Sequence, residues 1–322
     1  MPTRRNNRRR GYVLVMTLGL LVLSATLLVA VARVSVRHAL DAREAQTRLQ
    51  RRWGAISARQ AVLPYAERIL AQAEARQHRP LPVLPVTLRL GREQFTLVLC
   101  DEQAKANVNV LLEMERGDRS AAESRIRQSL SGTGLTNMIR LRPISLPARA
   151  KPPKSAATQP AVQQWITGLG QMFENVPPER LLKGGDSAPA NRLTCWGPGG
   201  INIMRAPERA LVLATGSSLS QLDAGRLIEA RNKHYQRRTS GTGEISAQPK
   251  TAQPPPASSD PVAAMLAEAK ITLKDRARLP LVVGSTCHSL WVIIGDNQRA
   301  SYSLTVVDDS NAQHTRTEAF VW

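Results

Sequence analysis

The sequence predicts an α+β fold: a long N-terminal helix packed on an antiparallel sheet, with a mostly helical domain inserted among the strands. Three observations predict it. Residues 12–32 are uncharged and mostly apolar, and helix-forming residues follow to Arg79, interrupted only by Pro64. Apolar runs punctuated by turn residues occupy residues 86–100 and again 281–322. Between these two groups lie helical patterns separated by stretches rich in Pro, Ala, Lys and Ser.

The totals set the frame. At 322 residues the chain holds one large domain or two small ones beyond its N-terminal helix. Aromatic residues are only 4%, so any core rests on Leu, Val, Ile and Ala. The net charge of +19 raises the question of nucleic acid, but its distribution points elsewhere. Five Arg fall in the first ten residues, and ten more lie from Arg33 to Arg79 against four acids, which is the pattern of membrane-flanking or solvated charge. Cys100, Cys195 and Cys287 are far apart and form no CxxC, which argues against zinc; free thiols and a disulfide are equally compatible with them.

As a helix, residues 12–32 rise roughly 31 Å, about the thickness of a bilayer's hydrocarbon. A secretory signal would have a shorter apolar run and a polar start after it. Here the pattern continues as helix, with residues 33–79 as its extramembrane continuation. The Arg-rich tail predicts a cytoplasmic N-terminus and a single span, with the bulk of the chain on the far side. Ala55, Ile56, Ala58, Val62, Leu63, Ala66, Ile69 and Leu70 recur near helical spacing and predict packing on a globular domain, with a kink at Pro64. Gly11 precedes Tyr12 at the junction of charge and apolar helix. This is the layout of a prepilin-type leader, residues 1–11, cleaved after the Gly so that Tyr12 becomes the new N-terminus; an uncleaved signal anchor is the alternative. Position five of the mature chain would be Met16, where most pilin-like proteins carry a Glu.

Pro80, Pro82 and Pro85 end the helix. VTLRL at 86–90 and FTLVLC at 95–100, joined through Gly91, read as a β-hairpin. DEQAKANVNV follows directly at 101–110. This turn resembles the D-E-x-x-K-x-N-x-N element of the minor pseudopilin K family of type II secretion systems (general secretion pathway protein K). That family also begins with an RRG-apolar helix and is the pseudopilin lacking the Glu at position five. The motif residues are Asp101, Glu102, Lys105, Asn107 and Asn109. Physically, Asp and Asn side chains cap backbone groups in such a turn; a carboxylate-rich cluster binding calcium is the alternative.

The middle of the chain, residues 110–270, reads as the helical insertion. A helix over 111–130 breaks at Gly117 and Asp118, residues 143–160 form a linker, a short helix runs over 161–173, and FENVPPERLLKGG at 173–185 carries another. TCWGPGGINIMRAP at 194–207 resembles a further K-family segment, with Met204-Arg205 departing from that family's usual Asn-Thr before Ala-Pro. Helix then starts with Pro207 at its first position and ends at Gly216. Ser220 and Asp223 form the N-terminal box of the next helix, against which Leu222, Leu227 and Ile228 pack back. The result is a helix-hairpin-helix-like pair marked by Gly200, Asn202, Ala206, Pro207, Gly216 and Arg231. Such pairs bind DNA backbone elsewhere, and Arg226, Arg231, Lys233, Arg237 and Arg238 would suit that; a compact module with a basic exposed face is the plainer reading. Residues 237–260 form a low-complexity loop and 261–269 a short helix.

Residues 80–109 thus form the first part of the sheet and 271–322 its C-terminal strands, at 281–284, 290–294, 302–307 and 317–322. Asp308 and Asp309, with Asn311, mark a turn that either is solvated or holds calcium. The five His are scattered and no GxSxG, HExxH or phosphate loop occurs, so no enzyme, small-molecule substrate or obligatory cofactor is indicated.

The resemblance implies a pilin-like fold. It implies a minor pseudopilin in the bacterial inner membrane, periplasmic in bulk, processed by a prepilin peptidase and methylated at its new N-terminus. It further implies I-type and J-type minor pseudopilins and the major pseudopilin as partners, and a place at the pseudopilus tip. The alternative is a single-pass membrane protein whose helix pair binds nucleic acid in DNA uptake or a related pilus.

Overall fold

The computed structural model describes residues 7–91, 93–131, 134–144, 165–185, 188–240, 260–271, 280–295, 300–311 and 315–321. Two compact units divide between Ile56 and Ser57. The first is most of one helix, α1 (Asn7–Val62), whose residues 12–46 are exposed without exception. It alone among the described residues is long and apolar enough to cross a membrane, by length and composition.

The second unit starts with the last turns of α1. Pro64 acts as predicted, but locally: a single 3₁₀ turn, Leu63–Tyr65, separates α1 from α2 (Ala66–Gln77). His78 closes α2 in the left-handed conformation, φ 52°.

Five strands form one antiparallel sheet in the order β1-β2-β7-β8-β9. These are β1 (Val83–Leu90), β2 (Glu93–Asp101), β7 (Cys287–Ile294), β8 (Ser301–Asp308) and β9 (Arg316–Val321). β1 begins earlier than predicted and includes Pro85, which its place at the sheet edge permits because no neighbour needs the missing N–H there. Register assigns the two faces. Asp101 lies opposite His288, and Leu99 opposite Leu290, on the face that α2 and the end of α1 cover. There Arg59 donates to Thr305 at 3.4 Å, and Leu70 is wholly buried. Val98 opposite Trp291, and Cys100 opposite Ser289, lie on the other face, in one core with the helices that follow β2. Both faces of β7 are therefore covered, which is why its residues 290–294, LWVII, read as a continuous apolar run and not as an alternation.

Those helices are α3 (Val108–Met114), α4 (Arg119–Ser129), α5 (Pro178–Leu182), α6 (Glu208–Thr215), α7 (Gln221–Ser240) and α8 (Pro261–Glu268). The break at Gly117 and Asp118 is present, with Asp118 capping α4 through Ala121 N at 3.1 Å. Two short parallel pairs stitch the insertion together: β3 (Ala106–Asn107) with β4 (Leu193–Thr194), and β5 (Ile201–Asn202) with β6 (Leu281–Val282).

Several expectations change. The run at 281–284 does not join the main sheet; it supplies β6, because the backbone of Ile201 and Ile203 takes up its hydrogen bonds. Of the helix expected over 161–173, residues 161–164 lie outside the described residues, and the rest is a loop with one 3₁₀ turn, Leu169–Gln171. Its backbone is spent on residues 138–142 instead: Arg140 N donates to Met172 O at 3.0 Å and Glu174 N to Met138 O at 2.8 Å. Pro207 is the N-cap of α6, one position before the first helical residue. Leu222 faces solvent at 67% exposure, since it sits on the side of α7 opposite Ala224 and Leu227. α7 runs to Ser240, past the predicted helix end; the remainder of the expected loop, to 259, and linker residues 145–160 lie outside the described residues.

Candidate functional site

Two places carry the residues singled out from the sequence. The first is α1. Tyr12 and Met16 are exposed on it, at 66% and 57%, and the helix passes unbroken through Gly11. No carboxylate accompanies Met16: none occurs before Asp41.

The second is a buried polar cluster where β2 ends. β2 delivers Asp101 fully buried, and its Oδ1 accepts from Ala104 N at 3.1 Å, capping the 3₁₀ turn Glu102–Ala104. Glu102 and Lys105 form a salt bridge of 2.5 Å with both side chains buried. Ser289 also donates to Glu102 Oε1, while Oε2 has no partner. Burial works against the Lys105 charge, but Cys100 and Glu102 nearby raise its pKa. Asn107 caps α3 through Asn109 N at 2.9 Å and donates to Trp196 O at 2.9 Å. Asn109 behaves as a two-way bridge: its amide donates to Ile166 O and Cys195 O, and its oxygen accepts from Ile166 N. The turn motif is thus a set of caps and bridges that ties β2 and α3 to two distant loops.

The helix-pair motif meets it directly. Asn202 donates to Asp101 Oδ2 at 3.0 Å, so the two motifs form one cluster. Gly200 is required by space: a Cβ there would lie 2.7 Å from Val282 Cγ1. Gly216 ends α6 at φ 62°, a conformation that favours glycine. Ala206 is wholly buried, and its carbonyl accepts from Arg231 at 2.7 Å. Arg231 is therefore internal, and burial lowers its pKa to about 10. Arg226 lies 3.4 Å from Asp223 and Lys233 2.8 Å from Glu229. Of the five basic residues suited to DNA, one is thus buried and two are ion-paired, and the side chains of Arg237 and Arg238 lie outside the described residues.

The centre of the cluster is Arg205, the second residue of the Met204-Arg205 pair singled out in the sequence. Its guanidinium, 4% exposed, binds three carboxylates. It reaches Glu74 at 2.8 and 3.0 Å, Glu67 at 2.6 and 2.9 Å, and Asp101 at 3.2 Å. Burial opposes the guanidinium charge, but the bonds to Glu74 and Glu67 outweigh it and raise its pKa. Glu67 also meets His288 Nε2 at 3.1 Å. Burial disfavours the Glu67 charge, yet His288 and Arg205 hold its pKa down at about 2. Sequence reasoning missed Arg205, Glu67, Glu74 and His288. One signal was available: Glu67 and Glu74 are seven apart, so both fall on one face of α2.

The turn at Asp308 is capped locally, its Oδ1 accepting from Ser310 N at 3.0 Å, while Asp309 N donates to Thr286 O at 2.8 Å. Among the described residues no group of three or more His, Cys, Asp or Glu is placed to hold a metal. All three cysteines are free and buried, and burial pushes Cys100 up to about 11 and the other two well above the usual thiol value. Such thiols are poor nucleophiles.

No protein-family model and no curated protein matches the chain. Among solved structures the chain is similar to a chain of the GspK-GspI-GspJ complex from the enterotoxigenic Escherichia coli Type 2 Secretion System. The two are 15% identical, with a TM-score of 0.40, and the match covers 87% of this chain and 98% of that one.

Proposed function

We propose that this chain is a minor pseudopilin of a type II protein secretion system: a structural subunit anchored in the inner membrane that caps the pseudopilus and helps start its assembly. The observation that carries the proposal is α1. Its residues 12–32 expose a bilayer's length of apolar side chain, follow an Arg-rich segment ending in Gly11, and continue as helix towards a sheet-based domain. An apolar surface of that extent needs lipid or other apolar helices around it. Lipid surrounds it before assembly, and the helices of I-type, J-type and major pseudopilins surround it within the filament. Met16 supports a tip position, because a subunit lacking a carboxylate there cannot neutralise the N-terminal amine of a subunit above it.

Processing tests the proposal. The full chain is expressed in a bacterial membrane with and without a prepilin peptidase, and its N-terminus is sequenced. Tyr12 is the expected first residue with the peptidase present. Gly11→Val, which places a branched side chain beside the scissile bond, is expected to leave residues 1–11 attached. A chain that keeps its leader beside an active peptidase, or is cut elsewhere, would defeat the proposal.

A further inference from the structure

Two arginines stand where the apolar span ends, and neither is neutralised. Residues 12–32 rise roughly 31 Å, so Arg33 falls at the edge of a bilayer's hydrocarbon. Arg37, roughly 6 Å farther along the helix axis, falls in the headgroup layer. Among the described residues neither guanidinium makes a hydrogen bond or an ion pair. Along α1 the first carboxylate is Asp41, eight residues and about 12 Å beyond Arg33. The next, Glu44, is held by Arg48 at 2.5 Å. Arg33 and Arg37 are four apart and so share one face of α1, an arrangement of like charges that weakens a helix unless an anion lies between them. They also stand on the opposite side of the span from the Arg-rich segment, where the usual distribution of positive charge does not call for arginine.

The surface beside them is apolar. Leu28, Val29, Ala32 and Val36 line one shallow groove together with Arg33 and Arg37. Leu28, Val29 and Val36 are 71%, 50% and 59% exposed, so the groove is open along its length. An apolar channel at hydrocarbon depth that ends in two guanidinium groups at headgroup depth has the outline of a phospholipid: acyl chain along the channel, phosphate at its end. The charge selects the headgroup. Guanidinium donates in pairs to phosphate oxygens. Two guanidinium groups carry more charge than one phosphate neutralises. A zwitterionic headgroup would bring its own ammonium towards the second arginine, whereas a headgroup of net negative charge suits both. We propose that Arg33 and Arg37, with the apolar groove that leads to them, bind an anionic phospholipid in the leaflet where the span ends, its phosphate on the two guanidinium groups. This rests on the membrane-anchored reading of α1 given above, and it gives that anchor a preferred lipid.

Lipid retention tests it. The full chain is reconstituted into bilayers of equal parts phosphatidylethanolamine and phosphatidylglycerol and released into mild detergent, and the lipids that stay bound are counted by native mass spectrometry. A basic residue at an anionic headgroup layer contributes about fivefold in affinity, so phosphatidylglycerol is expected to exceed phosphatidylethanolamine by at least about fivefold. Arg33→Gln combined with Arg37→Gln should bring the two lipids to parity. Arg43→Gln, the same change of charge about 15 Å beyond Arg33, should leave the preference intact. So should replacement of Arg8, Arg9 and Arg10 by Gln, which removes the arginines on the other side of the span. Equal retention by the unaltered chain overturns the inference. So does a preference that survives the Arg33 and Arg37 substitutions, one that follows Arg8–Arg10, or displacement of the lipid by millimolar inorganic phosphate. Carbonate extraction of the same chains separates this inference from the reading beneath it. A chain that stays in the membrane without lipid preference keeps its anchor and loses this site; a chain that is extracted loses both.

Discussion

Residues 12–32 expose apolar side chains, and residues 101–109 bury charged ones. Both invert the usual rule, and the inversions differ in kind. Among the described residues the first stretch is covered by nothing, and an apolar surface of that kind is satisfied by lipid or by other helices. The second has nearly every partner within the chain: Asp101 alone is met by Ala104, Asn202, Arg205 and Ser285. An exposed apolar stretch therefore reports on what surrounds a protein, and a buried polar stretch reports on how the protein holds itself together.

The largest expected effect is at Arg205. Removing one partner from a buried ion network leaves the remaining charges uncompensated, at a cost of about 3–5 kcal/mol. Arg205→Met should therefore destabilise the full chain in detergent by about that amount, read from the midpoint of urea unfolding of the globular unit. A loss below about 1 kcal/mol would mean that the carboxylates of Glu67, Glu74 and Asp101 find solvent, and that the cluster is not a closed system.

The anchor is expected to come next. Leu21→Arg puts a charge near the middle of the apolar span, at a cost of about 2.5–3.5 kcal/mol for insertion. The membrane-bound fraction should fall after carbonate extraction, while unfolding of the globular unit should not change. The converse pattern, intact anchoring with a weakened fold, would break the contrast between the two regions. A smaller loss is expected for Asn107→Ala, which removes a helix cap worth about 1 kcal/mol and the bond to Trp196 O. Its readout is the same urea midpoint, and it should lie clearly below the Arg205→Met loss.

The two regions also differ in how far the sequence exposed them. The anchor is legible because its signal is local: one composition, one period and one length suffice. The strands at 95–100, 290–294 and 302–307 are legible for a similar reason, being short apolar runs between turn residues. Their pairing is not legible, because β2 meets β7 across the whole helical insertion, and register depends on contacts nearly 200 residues apart. The loop at 165–173 is misread as helix because its backbone bonds go to residues 138–142, which no local pattern announces. Within the cluster, the turn motif is visible as a motif but its partners are not. Arg205 reads as a mere departure from a family pattern until Glu67 and Glu74, more than 130 residues earlier, are seen on the same guanidinium.

The smallest effect, and the finest test of closure, is at Glu67. Its side chain is 48% exposed, so it stands at the rim of the cluster where solvent screens it. Its folded pKa of about 2 lies below the ordinary carboxylate value of 4.5, so its ionised form is favoured by folding. The stability it contributes is fully present above pH 4.5 and is lost as pH falls from there towards 2. The melting temperature of the full chain should therefore fall on acidification through that window, and Glu67→Gln should lower it modestly at neutral pH and make the fall shallower, so that the two chains converge towards pH 2. His288, 3.1 Å away, separates two causes. If Arg205 holds the carboxylate ionised, His288→Asn leaves most of the pH slope in place; if His288 does, the slope largely disappears. Retention of the slope would make the guanidinium the organiser even at the rim, and would place the boundary of the self-contained region at Glu67.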